Sequence, residues 1–180
     1  MDQVEQARLL GLATGLGGHI RRWRRAVALQ DERIRGHPWE PGGLDRAVDT
    51  ELLAVALRSL LRACWACHGC FDRPSYAPFQ EAMNAFEGAV PHARVMRDLL
   101  QRFDRYQDDG HLDVFILLDE PTDWRVGAEG HPLLVHELRL DLATATRESD
   151  RMAATALRTI EYIVFCLGHF GELPGWPQGD

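Results

Sequence analysis

Leu53, Leu57, Leu60, Leu61, Cys64 and Phe71 recur at helical spacing, which gathers them on one stripe of a helix. A stripe that apolar is stable only when other elements cover it, so this segment commits the chain to a bundle. The rest of the sequence supplies partners. Val4 to Arg33 is helix-compatible, with Gly15, Gly17 and Gly18 predicting a break inside it. A loop is expected at Gly36 to Gly43, where proline and glycine block continuation, and Asp49 or Thr50 is expected to cap the second helix. Ala77 opens a short helix with Phe79, Met83 and Phe86 facing inward. Pro91 opens a fourth, carrying Met96, Leu99, Leu100 and Phe103, and a last helix covers about Thr144 to Phe170.

Between the fourth and last helices the pattern changes. Val114 to Leu118 is a compact apolar run and Leu133 to Leu142 partly alternates, with turn residues between them. The expected fold class is therefore mainly α: one domain over residues 1–180. It is read as a helical bundle of about five helices with a small two-stranded β-hairpin at about 113–142, before the last helix. The tail, about 171–180, is expected to be disordered.

A chain of 180 residues can bury a sizeable core without staples. No apolar run is long enough to span a bilayer, and the acidic amino terminus lacks the order of a secretory signal. The expectation is a cytoplasmic protein with no membrane partner. All 20 cationic side chains counted as Lys or Arg are arginine, as codon bias alone can produce, and the net charge of −7 argues against broad, salt-driven coating of nucleic acid. A local basic patch remains available at Arg21, Arg22, Trp23, Arg24 and Arg25, read first as a solvated face.

Two motifs invite a cofactor. Cys64-Trp65-Ala66-Cys67-His68 has the C-x-x-C-H form that attaches haem, and Cys70 adds a further sulfur for zinc. Cysteines ending a long apolar stripe also serve as small hydrophobes, and tetrahedral zinc is hard to satisfy from one helix. Core packing is the preferred reading: no cofactor is expected, with a metal or haem sensor on Cys64, Cys67, His68 and Cys70 as the weaker alternative. Gly15 to Gly18 lacks the strand and lysine of a phosphate loop.

The remaining candidate is Val90 to Tyr106, VPHARVMRDLLQRFDRY. Arg94, Asp98, Arg102 and Arg105 lie three or four positions apart, so Asp98 can pair with arginines a turn before and after. This segment, with the long and short helices before it over about Asp49 to Tyr106, resembles the HEPN superfamily. HEPN proteins are helical bundles that usually dimerise. Many cut RNA without metal, using an arginine, a polar residue and a histidine on one helix.

By position, the resemblance makes Arg97 the arginine that polarises phosphate and Asp98 the polar residue that orients it, with Arg94, Arg105 and Tyr106 alongside as RNA contacts. Arg102 stands where the histidine belongs, and a guanidinium stays charged and cannot act as a base near neutral pH. It can still grip phosphate. Arg62 and His68 repeat the arginine-to-histidine spacing, but in the preceding helix.

The resemblance implies a homodimer with a degenerate ribonuclease-type site that binds RNA or a nucleotide. A defence or toxin-antitoxin setting would pair it with a protein such as a nucleotidyltransferase antitoxin. The alternative is a non-enzymatic protein-protein interaction module that uses an exposed hairpin edge.

Overall fold

The computed structural model describes residues 2–36, 44–71, 77–91, 125–126, 133–135 and 138–173. Four helices dominate them: α1 (Gln3–Gly36), α2 (Leu44–Phe71), α3 (Ala77–Ala89) and α4 (Leu142–Phe170). Three short strands, β1 (Arg125–Val126), β2 (Leu133–Val135) and β3 (Leu138–Leu140), pair antiparallel in the order β1-β2-β3, with Leu133 opposite Leu140. The expected fourth helix beyond Pro91, from 92 on, and the strand at 114–118 lie outside the described residues, as do 174–180.

α1 is the shared wall of the bundle. Arg33 near its end meets Asp49 near the start of α2, and Arg8 near its start lies by Cys70 near the end of α2, so the two helices run antiparallel. The same holds for α4: Gln6 Nε2 donates to the Leu167 carbonyl at 2.6 Å, while Arg24 meets Asp150 at 2.7 Å. α3 lies mainly against α4. The stripe of α2 is fully realised, with Leu53, Leu57, Leu60, Leu61, Cys64 and Phe71 all buried. They join Leu9, Ile20 and Val27 of α1, Phe79, Met83 and Phe86 of α3, and Met152, Ile160, Ile163 and Leu167 of α4 in one core. Removing one such side chain costs about 2–5 kcal/mol, against less than about 1 kcal/mol for a solvated ion pair.

The structure corrects three local expectations. The glycines do not break α1, which is continuous through Gly15, Gly17 and Gly18. Burial along the whole helix outweighs a propensity penalty of about 1 kcal/mol per glycine. Gly17 is buried, and a Cβ there would lie 3.4 Å from Ile160 Cγ2, so α1 and α4 approach closely at this point. Second, Asp49 and Thr50 do not cap α2. The helix already starts at Leu44, and both residues are buried inside it at 1% exposure, Asp49 with Arg33 Nε 3.1 Å from its Oδ1. Third, residues 171–173 belong to the bundle: Gly171 closes α4 at φ 70°, and Leu173 returns to the core.

α4 starts with a side-chain cap. Asp141 Oδ1 accepts from Thr144 N at 2.6 Å, satisfying one of the exposed amides of the first turn. Hydrogen bonding to Thr144, aided weakly by Arg147 and Arg35, holds the Asp141 carboxyl below its ordinary pKa. A carboxyl more acidic in the folded than in the unfolded chain stabilises above the unfolded value and loses that contribution as pH falls through the folded one. Asp141→Ala should therefore cost about 1 kcal/mol near neutral pH. In urea titrations the difference from wild type should shrink once the pH drops below the carboxylate range; a cost that persists in acid would show that the cap is not electrostatic.

No atom outside the local backbone lies within 4 Å of a Cβ added at Gly15 or Gly18. Gly15→Ala and Gly18→Ala should each stabilise by about 0.5–1 kcal/mol, raising Tm by about 1–4 °C in a thermal melt. Gly17→Leu should lower Tm, because α1 would have to move away from Ile160.

Candidate functional site

The residues singled out by the family resemblance, Arg94, Arg97, Asp98, Arg102, Arg105 and Tyr106, lie outside the described residues. Three other chemistry-bearing segments are placed: the cysteine-histidine end of α2, the arginine run of α1 and the outer face of α4.

The cysteine-histidine segment divides between interior and surface. Cys64 and Cys67 are fully buried in the core, His68 is half-buried and Cys70 is exposed. The His68 ring sits edge-on to Trp65 at 5.6 Å between centroids and tilted against Phe79 at 6.2 Å, so it fills the junction of α2 and α3. Burial pushes the Cys67 thiol up to about 12, and burial likewise raises Cys64. Zinc binds thiolate, and burial in the core disfavours that form of both sulfurs. Among the described residues no group of three or more His, Cys, Asp or Glu side chains is placed to hold a metal ion. The donor set therefore fits neither zinc nor an axial haem ligand held out for iron; it fits the core.

The fourth cysteine, Cys166, is also buried, and its nearness one turn after Tyr162 raises the phenol pKa of that residue. Arg62 is exposed on α2, about one and two-thirds turns from His68, so the two do not share a face.

The arginine run does structural work on one side only. Arg24 Nε contacts Asp150 Oδ1 at 2.7 Å and Arg21 Nη2 approaches Glu161 Oε1 at 3.8 Å, tying α1 to α4. Trp23 is half-buried against the core, which removes it as an exposed stacking ring. Arg22 and Arg25 are exposed and make no ion pair among the described residues.

The face of α4 turned away from the core went unnoticed in the sequence, because its periodic residues are not apolar throughout. Arg147, Arg151, Arg158, Tyr162, Phe165 and His169 recur at three, four or seven positions, and all are exposed. Tyr162 and Phe165 keep 47% and 49% of their surface in water and Phe170 keeps 67%, unusual for residues of this size. The Phe165 ring stacks on His169 at 4.3 Å and meets the edge of Phe170 at 5.8 Å. Arg147 and Arg151 share Glu148, at 3.0 and 3.8 Å, and Arg158 donates to Thr155 Oγ1 at 3.3 Å.

No family model, curated protein or solved structure matches the chain. No helix among the described residues is long and apolar enough to cross a membrane.

Thiol chemistry checks the placement of the cysteines directly. A disulfide reagent at mildly alkaline pH should titrate Cys70 rapidly in the native protein and Cys64, Cys67 and Cys166 only on unfolding. Rapid native modification of Cys64 or Cys67 would show that the thiols are reachable and reopen metal binding.

Proposed function

We propose that this is a HEPN-like protein that binds RNA or a nucleotide and has lost the general base of the ribonuclease site. One observation carries the reading: Arg102 occupies the position, five residues after Arg97, where the resemblance calls for histidine. A guanidinium binds phosphate with two parallel hydrogen bonds and cannot accept a proton near neutral pH. Arg97 and Arg102 are then phosphate grips, Asp98 orients the phosphate between them, and Arg94, Arg105 and Tyr106 extend the contact. The mainly helical bundle supports the reading in its coarse form. Pairing of two copies, a fifth helix at about 91–106 with the hairpin after it, residence in the cytoplasm and a partner of the nucleotidyltransferase-antitoxin kind complete the proposal.

Structured RNA incubated with the protein in the presence of chelator tests it. The expected outcome is retention of intact RNA in a gel shift, with Arg97→Ala and Arg102→Ala each weakening binding by about 5–100-fold. Cleavage that disappears with Arg97→Ala would overturn the loss of catalysis. Unchanged binding in both variants would overturn the assignment of these residues.

A further inference from the structure

We infer that the outer face of α4, together with the exposed arginines of α1 beside it, is a docking ridge for single-stranded polynucleotide. The inference rests on the nucleic-acid-binding reading above but on none of its residues.

Charge is the first support. Residues 19–25 and 147–169 contain seven arginines and only three carboxylates, Glu148, Asp150 and Glu161, in a chain whose net charge is −7. Two of the three carboxylates are turned against α1, where Arg24 and Arg21 meet them. The third, Glu148, is only 15% exposed and is shared by Arg147 and Arg151. Glu161 borders the line through Arg147, Arg151, Arg158, Tyr162, Phe165 and His169 on its α1 side, and Arg158 makes no ion pair among the described residues, so the cationic side of the line is carried by Arg158 with Arg147 and Arg151 around Glu148. A polyanion following that line meets guanidinium groups first and rings next. Arg22 and Arg25 are exposed on the neighbouring helix α1.

Ring geometry is the second support. Bases bind without sequence preference by stacking on exposed aromatic faces beside a cationic track. Tyr162, Phe165 and His169 present such rings along about two turns of one helix. Phe165 and His169 are already stacked on each other and braced by Phe170, so part of the ordering cost is met before a base arrives. The arginines supply charge for an anionic ligand and the rings supply faces for flat bases, the two features that a single-strand track combines. The combination selects a ligand that is both anionic and flat.

A fluorescein-labelled oligouridylate and the matching oligothymidylate of about 15 nucleotides, titrated with the intact protein at low salt, read binding by anisotropy and separate RNA from DNA as the source. Tyr162→Leu and Phe165→Leu should each weaken binding by about 5–100-fold, while Tyr162→Phe, which keeps the ring, should bind like wild type. Arg158→Gln should flatten the dependence of log affinity on log salt by about one unit. Because these side chains face water, circular dichroism and Tm should stay at wild-type values.

Wild-type affinity in the Tyr162→Leu, Phe165→Leu and Arg158→Gln variants would overturn the ridge; if Arg97→Ala and Arg102→Ala then abolish binding, the reading of the previous section survives alone. Loss of binding in the α4 variants with none in Arg97→Ala or Arg102→Ala establishes the ridge and rejects the other site. Absence of binding by wild type at low salt rejects both. Sedimentation showing that the α4 variants split a dimer, with no oligonucleotide bound, would make the face a contact between copies and overturn the proposal.

Discussion

The bundle depends on α1 burying one side against two helices at once. A 34-residue helix with a modest apolar stripe has little stability alone, and here it is held because α2 and α4 both run antiparallel to it and share its buried residues. The approach is closest at Gly17, where the missing side chain leaves room for Ile160. Polar ties finish both ends: Arg33 with Asp49 at one, and Gln6 with the last carbonyls of α4 at the other. Each is worth far less than the apolar contacts between them, yet they set the register in which those contacts form.

Burial also sorts the chemistry. The same helix end offers Cys64, Cys67, His68 and Cys70 as apparent ligands, but two of the sulfurs are consumed by the core and the imidazole by two aromatic neighbours. Desolvation keeps the buried thiols protonated, and a protonated thiol is a hydrophobe. The arginines follow the opposite course. Those at 21 and 24 close the seam between α1 and α4, while those at 22, 25 and 158 stay in water, so an acidic chain carries a locally basic surface.

Which helices exist was legible wherever a stripe was purely apolar. Leu53 to Phe71 and Phe79 to Phe86 fall on buried faces from spacing alone, because water excludes such side chains whatever their neighbours. Local chemistry was less reliable: Asp49 reads as a cap when only its own segment is considered, and as a buried carboxylate once Arg33 approaches from another helix. Of the candidate sites, the cysteine-histidine pattern was visible but ambiguous. The mixed basic and aromatic stripe of α4 was invisible to a search for hydrophobic period.

The amino-acid order by itself determined that this chain is mainly helical, which faces those helices bury, and that position 102, five residues after Arg97, carries a guanidinium that stays charged near neutral pH. Those properties reside in spacing and in side-chain pKa, and both are local. Only the tertiary structure decided that α1 runs unbroken through its glycines, that Cys64 and Cys67 are core rather than ligands, and that Tyr162, Phe165 and Arg158 face water together. Each of those outcomes depends on what a second helix covers, and no single segment of sequence contains that information.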